Sequence, residues 1–183
     1  MASAWYQSRR QAPRHFEFRC RSCGDIHRGS PSFAYTKPAQ YFEIPEHQRE
    51  ARIALGTDTC VIDDSVHLIR AILEVPIIGV EDPFMWGVWV SQSEANFERY
   101  VATFDDDQLG EMSFGWLAVT LPGYAASHET AWQSLACNVH WGRSGQRPAI
   151  ELQVSDHPLY YDQVNGIDWP RATELARLAL HGE

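Results

Sequence analysis

Runs of strand-forming sequence in the middle of the chain constrain its fold more than any other feature. The clearest is "FMWGVWVSQ", residues 84–92, where side chains alternate between two faces with a period of two. The segments "CVIDD" and "VHLIRAILEVPII" predict a hairpin that turns through Asp63-Asp64-Ser65. A second hairpin is predicted from "SLACNVHWG" and "RPAIELQV". Because strands follow one another without alternating helices, we expect an α+β fold with a mostly antiparallel sheet.

A few helices are expected to pack against that sheet. A proline at the entry of "IPEHQREARIAL" favours a short helix at about 45–55. Ser91 or Ser93 would cap a helix in "EANFERYVATF", and "WPRATELARLAL" predicts a C-terminal helix with Pro170 in its first turn. The stretch "GDIHRGSPSF" is dense in Gly, Ser and Pro and is therefore predicted to be a loop.

Length and composition indicate one globular domain. The chain has 183 residues, of which 44% are apolar and 12% aromatic, enough to form a sizeable core. We expect residues 1–14 to be a flexible basic tail and residues 15–183 to be a single α+β domain. No apolar run approaches the roughly 18 residues of a membrane span, and the N-terminus lacks the apolar stretch of a signal peptide. A soluble cytoplasmic protein is the default expectation.

Charge is distributed unevenly along the chain. Residues 1–28 hold six arginines against two acidic residues, a net charge of +4, whereas the remaining chain holds nine basic and 22 acidic residues, a net charge of −13. The simplest interpretation is a solvated basic tail on an acidic body. The alternative is an acidic body that binds a basic protein partner. Nucleic acid is not an expected partner, because such a body repels phosphates, nor is a membrane, and nothing in the pattern specifies an oligomeric state.

One closely spaced cysteine pair, Cys20 and Cys23, lies in "FRCRSCGDIH". A thioredoxin-type redox pair requires a helix that starts at the first cysteine, but Gly24 and a Gly/Pro-rich stretch follow instead. A disulfide conflicts with the expected cytoplasmic location. A zinc knuckle fits better, since a predicted strand leads into Cys-x-x-Cys and a glycine immediately follows.

A structural zinc ion normally has four protein ligands, so two more are needed. His27 lies just past the knuckle, and Cys60 opens a predicted strand. Cys137 and His140 have suggestive spacing, but residues three apart in a strand point to opposite faces. The hypothesis is therefore a structural zinc site of Cys20, Cys23, His27 and Cys60, set against ordinary core packing of Cys60 and Cys137. Four protein ligands leave no position open for catalysis.

Standard catalytic signatures are missing from the sequence, which has no Gly-x-Ser-x-Gly, no phosphate-binding glycine loop and no His-Glu-x-x-His. A polar set in the C-terminal half offers an alternative, a small-molecule or anion pocket, with a tryptophan such as Trp89 or Trp116 as a further wall. Its candidate ligand-binding residues are His140, Arg147, Asp156 and His157. The simpler interpretation makes His140 a structural residue and Asp156-His157-Pro158 a turn in which Asp156 accepts backbone hydrogen bonds.

Five blocks of the sequence resemble, in order and wording, the bacterial family called domain of unknown function 2199. They are "CRSCGDIH", "CVIDDSVHLIRAILEVPIIG", "FMWGVWVSQSEANFERY", "FGWLAVTLPGY" and "VHWGRSGQRPAIELQVSDHPL". The resemblance extends from about residue 16 to about 170. It implies a bacterial cytoplasmic domain, and it supplies no catalytic residues, because no activity is assigned to the family.

Two functional hypotheses follow. The first is a non-catalytic protein-interaction or regulatory domain that a structural zinc knuckle braces and that binds a basic partner. The second is a small-molecule-binding protein or enzyme that uses the polar set of the C-terminal half. The charge asymmetry favours the first, so the protein is not expected to be an enzyme.

Overall fold

The computed structural model describes residues 15–124 and 134–182. The predicted basic tail, residues 1–14, lies outside the described residues. The strands are β1 (Glu17–Arg19), β2 (Ile26–Arg28), β3 (Ser32–Ala34), β4 (Ile53–Leu55), β5 (Thr59–Ile62), β6 (Val66–Val75), β7 (Phe84–Gln92), β8 (Met112–Trp116), β9 (Ala136–His140) and β10 (Ala149–Leu152). The helices are α1 (Ala39–Glu43), α2 (Glu46–Arg52), α3 (Glu94–Thr103), α4 (Pro158–Asn165) and α5 (Trp169–His181).

An eight-stranded sheet forms the body of the protein, and its main path runs β3-β7-β6-β10-β9-β8. Most neighbours pair antiparallel, as predicted, while β3 with β7 and β10 with β6 pair parallel. Both predicted hairpins are present, since β5 pairs antiparallel with β6 and β9 with β10. Asp63 and Asp64 form the first turn with φ of 52° and 54°, the left-handed conformation that tight hairpin turns require.

The sheet curls until its last strand returns to β7. Just after β8, Leu117 forms an antiparallel bridge with Val90. The Ala118 N–H group donates to the Trp89 carbonyl at 2.8 Å. Along β8 itself side chains complete the junction, because Ser91 Oγ accepts from the Trp116 N–H group at 3.1 Å. We call this contact between β7 and β8 the seam.

The core lies on both faces of β7. Trp86 and Trp89 point to opposite faces and are both fully buried, so both tryptophans are core residues. Each such ring buries on the order of 150–250 Å², worth about 4–6 kcal/mol at about 25 cal/mol per Å², an upper bound. Gly87 lies between them because a side chain there would come within 2.9 Å of Ala34 in β3.

The predicted loop at residues 24–33 is partly wrong, because it contains β2 and most of β3. Strand β2 pairs with β1, and β3 pairs with β7. Glycine, serine and proline lower the local strand preference, but both segments are only three residues long and gain their hydrogen bonds from a partner strand.

Helix α5 joins the two-stranded sheet β1–β2 to the rest of the core. It buries Ala172, Leu175 and Ala176. Its first residue, Trp169, packs on Phe16 with ring centroids 4.8 Å apart and donates from Nε1 to the Glu17 carbonyl at 3.1 Å. The hairpin therefore lies against α5. Among the described residues, no helix is long and apolar enough to cross a membrane.

Candidate metal centre

The alternation of strand β1 aims the first cysteine at α5. Phe16 and Phe18 are buried, while Glu17 and Arg19, which alternate with them, are exposed. Cys20 continues the buried face and is only 1% exposed. Because side chains alternate between the two faces of a strand, the Cys20 sulfur lies on the side of the hairpin that faces the helix.

A tight turn between β1 and β2 positions the second cysteine. The Cys20 N–H group donates to the Asp25 carbonyl at 2.8 Å, and the Gly24 N–H group donates to the Cys20 carbonyl at 2.9 Å. Gly24 has a φ of +81°, which glycine adopts without strain. Cys23 stands exposed within this turn. The local chain path is that of a knuckle, a turn that can bring both of its sulfurs to one metal ion.

Backbone N–H groups point at both sulfurs. Those of Cys23 and Ser22 hydrogen-bond the Cys20 sulfur and lower the pKa of this thiol to about 6, against the opposing effect of burial. The Asp25 backbone lowers the pKa of Cys23, but desolvation and the neighbouring Cys20 sulfur outweigh it, so the net shift is upward. A cation held between the two sulfurs would favour deprotonation of both thiols.

Strand β2 supplies the third donor. Phe18 and His27 are cross-strand partners, so the two side chains project from the same face of the hairpin. Their rings stack with centroids 5.1 Å apart and planes at 22°. This packing holds His27 Nε2 at 3.3 Å from Cys23 Sγ. The imidazole thus faces the knuckle, with its position fixed by an aromatic neighbour.

The fourth donor comes from the last turn of α5. His181 Nε2 lies 3.2 Å from Cys20 Sγ, a contact between residues 161 positions apart. Gly182, with a φ of 73°, ends the helix there, and its N–H group donates to the Leu178 carbonyl. The negative end of the helix dipole therefore lies beside the cluster and favours a bound cation.

Together these atoms form a compact donor set. The ligand atoms of Cys20, Cys23, His27 and His181 all lie within 4.8 Å of one another. Tetrahedral zinc, with Zn–S of about 2.3 Å and Zn–N of about 2.0–2.1 Å, would separate a sulfur from a nitrogen by about 3.5 Å. The two sulfur–nitrogen contacts of 3.2 and 3.3 Å are close to that value. Two thiols and two imidazoles at this spacing can hold one metal ion.

Three of the four residues in the hypothesised zinc site are in this cluster, and Cys60 is not. Cys60 lies in β5, paired with Leu55 and Leu68, and is fully buried. Burial raises the pKa of its thiol to about 11, so it is held neutral in the core. Cys137 is likewise fully buried, and its strand neighbour His140 faces outward, as strand parity predicted.

Sequence reasoning missed His181 because no local spacing links it to the knuckle. The available signals were a Cys-x-x-Cys pair lacking a fourth ligand and a histidine in the final turn of an amphipathic helix. The packing of Trp169 on Phe16 sets the direction in which α5 runs along the hairpin, and this direction brings His181 to Cys20.

The polar residues proposed to line a C-terminal pocket each have a different partner. His140 Nε2 lies 3.1 Å from Glu151 on the exposed face of β9 and β10. Arg147 donates to Asp58 and links β10 to β5, which flank the same edge of β6. His140 and Arg147 thus pair with different acidic residues, and their part in ligand binding stays a prediction.

The last two residues of that set, Asp156 and His157, mark the start of α4. His157 Nδ1 accepts from the Leu159 N–H group at 3.2 Å and caps the helix, whereas Asp156 accepts from the Tyr161 hydroxyl at 3.4 Å. The predicted turn in which Asp156 accepts backbone hydrogen bonds is thus corrected, because the imidazole supplies the cap and a helix follows.

Fold and site define an α+β protein whose N-terminal hairpin and C-terminal helix share a Cys2His2 cluster. Its sequence matches the model of a family described as "Uncharacterized protein conserved in bacteria (DUF2199)" over residues 19–167, so the chain belongs to that family. Cys20, Cys23 and His27 fall inside the matched range, and His181 follows it. No curated protein and no solved structure matches the chain.

Proposed function

We propose that the protein is a non-catalytic interaction or regulatory domain of bacteria, braced by one structural zinc ion on Cys20, Cys23, His27 and His181. The observation that carries the metal proposal is the convergence of the four donor atoms within 4.8 Å. Two sulfurs and two imidazole nitrogens suit zinc, whereas magnesium and calcium prefer oxygen ligands.

The four donors favour a structural role for the metal over a catalytic one. A catalytic zinc ion has three protein ligands and keeps its fourth position for water or substrate. With two cysteines and two histidines, the tetrahedral coordination is complete. The ion would instead link β1–β2 to α5, across 161 positions of the chain.

Metal content measured on protein purified without a histidine tag tests the metal proposal. We expect about one zinc ion per chain. The variants C20S, C23S, H27A and H181A should each lose most of it. His47→Ala is the matched control, since His47 is an exposed histidine on α2 whose ring nitrogen lies 3.3 Å from the Gln48 amide. Tag-free wild-type protein with less than about a tenth of an equivalent of zinc would refute the proposal.

A further variant separates the two possible fourth ligands. Cys60→Ala removes the thiol that the sequence suggested, and His181→Ala removes the imidazole that the structure places in the cluster. The proposal requires that the Cys60 variant retains zinc and the His181 variant loses it. The opposite result would assign the fourth position to Cys60.

Two surface features support the interaction role. Residues 29–183 carry a net charge of −13. On β8, Met112, Phe114 and Trp116 alternate along one face and are all about half exposed. Exposed apolar side chains of this kind are typical of protein contact sites, and the acidic body would steer a basic partner toward them.

The interaction role is tested by affinity capture from a bacterial lysate at low salt, where electrostatic steering is strongest. Wild-type protein should retain a basic protein, and added salt should release it. The double variant F114A/W116A should retain less of that protein, although its net charge equals that of wild type. Equal retention by both proteins, or retention that salt does not weaken, would contradict this role.

A further inference from the structure

The two cysteines of the cluster differ sharply in their access to solvent. Cys23 is exposed in the knuckle turn, whereas Cys20 is buried beneath it. Their sulfurs lie within 4.8 Å of one another. A small oxidant can therefore reach one sulfur directly, and the second sulfur is already beside it. The other two cysteines of the chain, Cys60 and Cys137, are fully buried.

We propose that Cys20 and Cys23 form a peroxide-sensitive modification site, at which oxidation to a disulfide releases the metal and frees the last turn of α5. This inference rests on the proposed zinc site. Beyond that site, it names the class of molecule that reacts there, a hydroperoxide, and the structural change that follows, the release of the last turn of α5.

The reaction proceeds in two steps. In the first, the Cys23 thiolate attacks one oxygen of hydrogen peroxide, the O–O bond breaks, and Cys23 sulfenic acid and hydroxide form. In the second, the Cys20 thiolate attacks the Cys23 sulfur, the S–O bond breaks, and a second hydroxide leaves as the disulfide forms. The two sulfurs lose two electrons in total, the peroxide gains them, and two protons from solvent convert both hydroxides to water.

The knuckle turn allows the sulfurs to join. A disulfide needs an S–S distance of about 2.05 Å and a Cα–Cα distance of about 4.4–6.8 Å. Only two residues separate the cysteines, and Gly24 gives the turn freedom to adjust. Zinc then loses both thiolate ligands, and two neutral imidazoles alone hold it weakly.

Loss of the metal would act locally on α5. The Trp169 end remains packed on Phe16 and bonded to Glu17. His181, at the other end, loses the ion that ties it to the hairpin. The expected change is therefore an opening of the final turn, with the body of the helix still docked through Leu175.

Treatment of zinc-loaded, tag-free protein with hydrogen peroxide tests this inference. We expect release of about one zinc ion per chain, detected with a chromogenic chelator, and a mass decrease of two hydrogens that peptide mapping assigns to Cys20 and Cys23. A thiol reductant with added zinc should reverse both changes. Cys60→Ala should behave like wild type, because that thiol lies outside the cluster.

Hydrogen exchange provides the structural measurement. Amides of the last turn of α5, residues 178–182, should exchange at least about tenfold faster after oxidation, whereas those around Leu175 should not change. Protein isolated without zinc would refute the proposed function and this inference together. Zinc that stays bound under peroxide, or oxygen added to Cys23 without a disulfide, would overturn this inference and leave the zinc site standing.

Discussion

At the scale of single residues, the seam depends on the absence of one side chain. Gly115 of β8 faces β7, and a methyl group on it would lie 2.5 Å from the Ser91 carbonyl oxygen. Next to it the buried amide of Gln92 donates to the Phe114 carbonyl at 3.3 Å and accepts from Ser113 Oγ at 2.7 Å. Close backbone approach and a buried amide together let β8 close on β7.

Gly115→Ala should therefore destabilise the protein. The added methyl group forces the two strands apart, and such overpacking costs about 1–3 kcal/mol. For a chain of this size we expect the melting temperature to fall by about 2–10 °C in thermal unfolding. Met112→Ala, an exposed change on the same strand, is the control and should stay within about 0.5 kcal/mol of wild type. Equal melting temperatures for Gly115→Ala and wild type would contradict the seam as described.

His157 gives α4 a cap that responds to pH. Burial lowers the pKa of the His157 imidazole below its ordinary 6.5, and its hydrogen bond with the Tyr124 backbone raises it only in part. The unfolded chain therefore takes up this proton at a higher pH than the folded chain. The stability that the neutral cap contributes is present above pH 6.5 and is lost as the pH falls through the folded-state pKa.

His157→Asn should weaken this pH dependence. Asparagine is a good helix cap and does not titrate in this range. Melting temperatures measured from about pH 7.5 to about pH 5 should fall less steeply for the variant than for wild type. Parallel curves for the two proteins would show that His157 does not titrate on unfolding. The other histidines are common to both proteins and cancel in the comparison.

At the scale of elements, α5 is fixed differently at its two ends. Its first turn is capped by Asp168, whose carboxylate accepts from the Arg171 N–H group at 2.8 Å. Its last turn carries His181 into the cysteine cluster. The first contact is a local helix signal, whereas the second joins the helix to a distant hairpin.

Substitution at each end of α5 should separate these contributions. Asp168→Ala removes the cap and should cost about 0.5–2 kcal/mol with the zinc content unchanged. His181→Ala should lower both the zinc content and the melting temperature. Because this variant already lacks zinc, a chelator should change its melting temperature very little. Metal analysis and thermal unfolding on the same samples check both expectations. Loss of zinc from the Asp168 variant would show that metal binding depends on the whole helix.

Elements with strong local patterns were predictable from the sequence. Strand β7 was predicted at its observed bounds, and Ser93, one of two predicted caps, accepts from the Asn96 N–H group at the start of α3. Helix α4 was missed, because His157 is an unusual cap. The parallel pairings of β3 and β10 were missed too, since their register depends on contacts between distant segments.

At the scale of the whole molecule, the Cys2His2 cluster has one local part and one distant part. Cys20, Cys23 and His27 belong to one hairpin, and their local spacing suggested a metal. His181 reaches them only through the docking of α5, 161 positions along the chain from Cys20. A sequence pattern therefore predicts the knuckle, and only tertiary packing identifies the residue that completes it.

Removal of the metal should lower the stability of the whole protein. An ion that binds only the folded state, at about 100 times its dissociation constant, stabilises it by about 2.7 kcal/mol. For this chain length that corresponds to a shift of about 5–10 °C in melting temperature on treatment with a chelator. On treatment with the chelator, the melting temperature of His47→Ala should fall as much as that of wild type. Cys20→Ser should already have the lower melting temperature before treatment. An unchanged wild-type melting temperature would refute a structural role for the metal.

A metal ion bound at the contact between residues 161 positions apart would also change how the protein responds to mechanical force. With a metal bound, a pull on segments outside residues 20 and 181 would first break the contacts of residues 16–19 and would then load the coordination bonds, while the chain between the two ligands carries no force. Rupture would then release up to about 550 Å of hidden length, at roughly 3.4 Å per residue. Stretching of single molecules should show this as an abrupt lengthening that occurs at a lower force once the ion has been removed.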